Sequence, residues 1–467
     1  MKKSIILTLI AMFIPVMVLA SLTEVMQIAR QGNTAFGYSV DSDGDFVAVG
    51  AIDDNGGTVY VFQKNASGEL IQLDRINRIA DTPSGFGADV AIKDFGDDGL
   101  YLAVGAPDYS EGSMGKTSYS DVVHIFKFNT STEKFEFIRT MYGIDGDGYG
   151  TAIDMAAFTE YTVSNVGGLP TIVLADKGLL LLVGEENHSS GDGRIVLFSY
   201  SFKSNNWKDV SISDSSGGLN HYGHSVALTD DKIHPFFNSR AKIVVGAPDE
   251  DIVDTDNNTY QDKGAVYIYE LNATHANGFT IGSEDRIHQV VNGVLIVGYS
   301  FSQASKFGTS VDIADNKNTL IVGALKTEVV SGALESAAPG AAYIYNLMNN
   351  GNNRWDLNTS LEQPANPSSK SEKFGAAVSI DSNGVAVVGA PMFKNQSGDT
   401  TGAVFDFIRT DSGWQPDGAY LGESGDRVGF TVENFSDMIL SGDPEAETLT
   451  VLKPVSFNPS ILMYLLN

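Results

Sequence analysis

The chain of 467 residues contains no cysteine, so a disulfide framework, a thiolate metal site and a lipidated cysteine are all excluded, and stability must come from packing. Basic residues are scarce: 30 Lys and Arg face 58 Asp and Glu, a formal charge of −28. Loss of Lys2 and Lys3 with a leader would deepen that charge by two. Such a surface repels phosphate, which excludes nucleic acid as a partner, and it favours cations or basic proteins as well as plain solubility. The seven histidines show no HExxH spacing, and no GxSxG occurs, so the familiar metalloprotease and hydrolase signatures are missing. His221 and His224 flank Tyr222 and Gly223, near a loop that leads into a repeat. No run has a helical period outside the first twenty residues, so almost no helix is expected.

Long apolar runs are missing too, with one exception. Lys2 and Lys3 precede an apolar stretch over residues 5–19, broken by Pro15 and ending in Val18-Leu19-Ala20. The stretch is shorter than the ~20 residues a spanning helix needs and ends in a small residue, as an export leader does. Residues 1–20 are read as a signal peptide cleaved after Ala20, which implies a secreted or cell-surface protein with no membrane span once the leader is gone. In the C-terminal tail over residues 455–467, the apolar run from Ile461 to Leu466 is too short for a transmembrane or lipid-anchor signal.

What is present is one pattern seven times over residues 21–454, with repeats starting near 36, 86, 149, 222, 307, 374 and 428. Each copy has an aromatic-Gly pair, an apolar strand ending in Gly-Ala or a variant, and an aromatic-rich strand. The first reads FGYSV (36–40), FVAVGA (46–51) and GTVYVF (57–62); the sixth reads FGAAV (374–378), VAVVGAP (385–391) and GAVFDF (402–407). The third reaches its second strand through an insertion over residues 156–178, and the seventh, VGFTV (428–432), loses the aromatic. Stretches such as LIQLDRI (70–76) and WQPDGAY (414–420) read as outer fourth strands. The last copy lacks one, and EVMQIARQG (24–32) supplies it, so the chain is expected to close as a ring with no open edge. The fold class is all-β: a seven-bladed propeller, a monomeric disc, with the repeat aromatics as wedges between blades.

These motifs resemble the FG-GAP repeat family of the integrin α-subunit type, from Glu24 to about Pro454. The resemblance implies a propeller that binds a ligand through its loops, and calcium held in D-x-D-x-D-G-x-x-D loops between first and second strands. The sequence departs from that calcium pattern. Asp41, Asp43 and Asp45 have Gly44 too early and read as a tight turn, while Asp94, Asp98 and Gly99 lack ligands at the third and ninth positions.

Function is read as non-enzymatic binding of an extracellular protein or glycan, with a structural subunit of a surface assembly second and an enzyme using the channel third. Candidate ligand-binding residues lie in loops that share one face: Asp108, Glu185, Glu186, Asp249, Glu250 and Asp251. The loop over residues 249–263 also carries Asp254, Asp256, Asn258 and Asp262 at oxygen-donor spacing, a candidate Ca2+ site beside the plainer reading of a solvated acidic loop. Sequons at Asn65, Asn129, Asn187, Asn257, Asn272, Asn358, Asn395 and Asn434 are candidate glycosylation sites.

Overall fold

The structure is a computed structural model. It describes residues 20–32, 34–79, 85–107, 121–143, 147–213, 220–253, 259–260, 262–272, 280–281, 285–288, 290–291, 294–295, 306–325, 340–348, 354–363 and 373–454. Residues 1–19 and 455–467, together with Asp108, Asp254, Asp256, Asn257, Asn258 and His275, lie outside these residues.

Strands alternate with turns in every repeat, and each repeat folds into an antiparallel sheet that forms one of seven blades. Blade 1 sets the pattern: inner strand Phe36–Asp43, second strand Phe46–Ala51, third strand Thr58–Lys64 and outer strand Leu70–Asn77. The other inner strands are Val90–Asp94, Tyr149–Val166, Ser225–Leu228, Phe307–Ile313, Ala377–Ile380 and Thr431–Phe435. Among the described residues helix is confined to the four-residue turn His188–Gly191 and two short 3-10 turns. The ring closes as the repeats imply. Thr23–Ala29 pairs antiparallel with Thr448–Lys453 as the outer strand of blade 7, with Ala29 opposite Thr448. Just ahead of it, Ala20–Ser21 runs parallel to Gly413–Leu421, the outer strand of blade 6.

Second strands such as Phe46–Ala51 are apolar on both faces because each lies between two neighbouring blades. The repeat aromatics fill those gaps: Phe36, Phe86, Tyr149, Tyr222, Phe307 and Phe374 are all fully buried. Phe36 packs edge-on against Tyr60 of its own blade and shares a core cluster with Phe435 and Leu440 of blade 7. Both repeat glycines answer one contact. A Cβ on Gly50 would fall 2.1 Å from the carbonyl oxygen of Gly87 in the next blade, and Gly105, Gly184, Gly246, Gly323, Gly389 and Gly442 repeat that approach around the ring. Gly442 meets Gly37, so the seventh contact closes the circle. The partner glycine also needs a positive φ, +92° at Gly37 and +90° at Gly87, which side chains resist.

The insertion in blade 3 is a continuation of strands. Tyr149–Val166 and Leu169–Glu185 run on past the blade as a hairpin that turns at Gly167-Gly168, both with positive φ. A smaller hairpin from blade 4, Asp231–His234 with Phe237–Ser239, lies beside it, with Phe158 paired to Asp231 and Glu160 to Ile233.

Candidate functional site

The inner strands line a central channel with a cavity of about 490 Å³. Asp41, Asp154, Asp312 and Glu433 stand five residues after the repeat aromatic position in blades 1, 3, 5 and 7, and Asp89 stands three after it in blade 2. Each aspartate latches its own blade to a following one. The amides of Ile92, Ile153, Leu228 and Ile380 donate to Asp41, Asp89, Asp154 and Asp312 at 2.6–2.7 Å. Glu433 spans two joints, accepting from the Ser42 hydroxyl at 3.1 Å and from that of Ser379 at 3.5 Å. Burial pushes Asp41 and Asp89 up to about 7 and Asp312 up to about 6, and it raises Asp154 and Glu433 as well; the acids around the ring reinforce this. At one mouth Lys93 lies 3.1 Å from Asp43 and 3.7 Å from Asp230. Burial opposes the charge on Lys93, but these two carboxylates outweigh it.

The loops that lead into the blades and those between second and third strands form one face, where most of the sequence-selected acids lie. Glu185 has no exposed side-chain surface; its carboxylate takes Arg194 Nε, and His188 lies 3.7 Å from it and 2.9 Å from Asp147. Asp147, Glu185 and His188 bring three metal-type ligand atoms within 4.8 Å, but Arg194 already holds the central carboxylate. Glu186 receives His224 Nδ1 at 2.5 Å, which holds it below the usual carboxylate range although burial acts the other way. Asp249 meets His221 at 2.6 Å and also Lys306. The Asp249 carboxylate raises His221, and these two cations overcome burial to hold Asp249 low. Glu250 is buried and accepts from the Tyr267 hydroxyl at 2.7 Å. Asp251 is exposed and accepts the amide of Asp262, whose own carboxylate lies 3.5 Å from Lys306. Of the four candidate calcium ligands only Asp262 is among the described residues, and it faces a lysine.

The opposite face carries the loops between first and second strands. Asp43, Gly44 and Asp45 make the tight turn that their spacing implies, with Asp43 paired to Phe46. The Asp98 carboxylate is taken by Lys177 of the blade 3 hairpin. That hairpin carries no charge from Tyr161 to Ala175, and Val163, Val166, Leu169, Ile172 and Leu174 are exposed on it. Register places Tyr161 opposite Leu174 and Val163 opposite Ile172, so these four share one side. The stripe continues through His234, whose ring lies 5.5 Å from Tyr161, to Phe236, which is 78% exposed.

The sequons fall in different settings. Asn358 is exposed, whereas Asn434 lines the channel and donates to Ser379 Oγ at 3.2 Å. The side-chain oxygens of Asn65, Asn129 and Asn395 accept the amide two residues on, holding tight turns. Neither the channel acids nor the apolar hairpin was singled out from sequence. The first had a signal, an acid at the same repeat position in FGYSVD, YGTAID, FGTSVD and VGFTVE. The second had one in its long charge-free stretch.

No family model and no curated protein matches the chain. Solved structures do resemble it. Raptor of Chaetomium thermophilum is 12% identical with a TM-score of 0.49, covering 94% of this chain, which spans only 30% of Raptor's length. Sqt1 of the same organism is 12% identical with a TM-score of 0.42, covering 90% of this chain and 97% of its own. The computationally designed Ika8 protein is 13% identical with a TM-score of 0.39, covering 91% and 98%.

Proposed function

We propose that this propeller is a binding module of the FG-GAP kind, exported and acting outside the cell, that engages a protein partner through the projecting hairpin of blade 3. The observation that carries the reading is the apolar exposure of that hairpin: five aliphatic side chains stand exposed on a segment without charge, Val163, Ile172 and Leu174 on one side and Val166 and Leu169 on the other beside the turn, in a chain of net charge −28. Exposed apolar patches on soluble domains mark interaction sites. Beyond Glu160 the hairpin has no neighbouring strand in the described residues on either edge, so it offers backbone groups to a partner as well as side chains. This favours a protein over a glycan. A binding role without catalysis is supported by the channel, where each of the four aspartates is committed to a backbone amide instead of being left free as acid or base.

The test is proximity cross-linking in the native source with the wild-type chain and with a Val163→Ser, Val166→Ser, Leu169→Ser, Ile172→Ser variant. The four positions are exposed, so the variant should keep the wild-type melting temperature. Loss of the cross-linked partner supports the hairpin as the interface; an unchanged partner set refutes it.

A further inference from the structure

Asp406 breaks the repeat at a buried position. The third strands of blades 1 to 5 carry Val61, Ile125, Leu197, Ile268 and Ile344 there, all buried aliphatics, and blade 6 places a carboxylate instead. Asp406 has no exposed surface, and neither of its carboxylate oxygens has a hydrogen-bond partner. The amides of Asp406 itself and Gly418 favour its charged form without reaching hydrogen-bond geometry, and the one charged side chain that perturbs it is another acid, Asp417, in the bulge of the adjoining strand. A buried carboxylate left in that state is costly unless something supplies a positive charge or a donor.

The neighbouring strands indicate what supplies it. Asp406 pairs with Val387 on one side and Gly418 on the other, and Gly418 pairs in turn with Ala20. Gly418 has no side chain to fill the row between Asp406 and the N-terminal strand. Leu22 is 4% exposed and packs with Val387 and Val404 in the gap between blades 6 and 7, the same side of the sheet as Asp406. The amide of Leu22 donates to Ala419 at 3.2 Å. That bond and the buried Leu22 side chain both lie after Ala20, so both survive a cut there. They hold Ser21 beside Ala419, one position along from Gly418 and about two strand spacings, roughly 10 Å, from the row of Asp406. The Asp side chain covers part of that span, and a terminal residue with no chain ahead of it can cover the rest.

We propose that removal of the leader after Ala20 creates the partner of Asp406: the new α-ammonium of Ser21 turns into the gap between blades 6 and 7 and pairs with the buried carboxylate. Processing then completes ring closure at the point where the N-terminal strand joins. The inference rests on the export reading and on cleavage at that bond. The cut is an ordinary peptide hydrolysis, in which water adds across the Ala20–Ser21 bond to leave a carboxylate on Ala20 and an amine on Ser21 that protonates.

The experiment compares the exported chain with a form carrying Gly-Ser ahead of Ser21, each with Asp406 intact, as Asp406→Asn and as Asp406→Val. Mass spectrometry of the exported chain reads its first residue. Thermal midpoints and the rate at which the α-amine is reductively methylated at pH 8 read the pair. The expected result is a mature chain that starts at Ser21, melts several degrees above the extended form, and is methylated at least tenfold more slowly than its Asp406→Asn counterpart. The difference between mature and extended forms should vanish in both Asp406 variants. A native first residue other than Ser21 overturns the processing step and the cleavage reading with it. A start at Ser21 with equal midpoints for mature and extended chains, or a difference that persists in Asp406→Val, overturns the pair and leaves export standing.

Discussion

Replacing Asp89 with Asn should stabilise the propeller in mild alkali and destabilise it in mild acid. Asp89 accepts the Val90 amide at 3.0 Å through one oxygen and the Ile153 amide at 2.7 Å through the other. Burial, with the Asp41 charge adding to it, pushes its carboxyl from 3.8 up to about 7. A carboxyl whose folded value lies above its unfolded value holds its proton better in the native state. Its ionisation therefore penalises folding progressively as pH rises from about 4 to about 7, and the penalty is complete above that. A shift of about three units corresponds to about 4 kcal/mol, an upper bound because the channel admits solvent. Asn carries no charge but offers one acceptor oxygen where the carboxylate has two, a loss of about 1 kcal/mol. The balance at pH 8 is a gain of about 1 to 3 kcal/mol; at pH 4, where Asp89 is protonated and itself has one free acceptor, the gain disappears and a small loss remains. Urea unfolding of both proteins at pH 4, 6 and 8 measures this directly. A variant that is less stable than wild type at pH 8 by the same amount as at pH 4 would refute the argument, since the hydrogen bond alone would then account for Asp89.

Gly246→Ala would drive a Cβ to 2.1 Å from the Gly308 carbonyl oxygen and force blades 4 and 5 apart by roughly 1 Å, costing about 3 kcal/mol or more, whereas Gly44→Ala, in open space, should cost about 1 kcal/mol from its positive φ alone; chemical denaturation distinguishes the two. Deleting residues 24–31 strips the outer strand from Thr448–Lys453 and exposes Leu449 and Val451, so the melting temperature should fall by at least about 5 °C in a scan of the purified protein, and an unchanged value would mean that the ring closes otherwise. His221→Gln should lower stability at pH 5 and leave it unaltered at pH 8. The Asp249 carboxylate raises His221, so its contribution is complete below the ordinary histidine value and is lost as pH rises through the folded one; a pH-independent effect would contradict the charged pairing.

Much of this architecture was legible in the sequence because a propeller repeats one local solution. The spacing of aromatic-Gly pairs and Gly-Ala strands determines where each blade begins, which strands lie innermost and how many blades there are, and the missing fourth strand after Lys453 together with the spare one at Thr23–Ala29 determines how the ring closes. These features depend on neighbours along the chain or on one identical joint repeated seven times. What only the tertiary structure decided is where the acids go. Asp41, Asp154 and Asp312 are separated by more than a hundred residues in places and meet only because the ring brings successive inner strands around one axis, and Asp41 seen alone was an ordinary turn acid. Glu185 and Glu250 read as exposed loop acids and are buried, because blade 3 puts Arg194 beside the first and blade 4 puts Tyr267 over the second. Charge in sequence carries no information on which side of a sheet it will stand once blades pack face to face, and that packing is what separates an acid in solvent from one in a channel or a core.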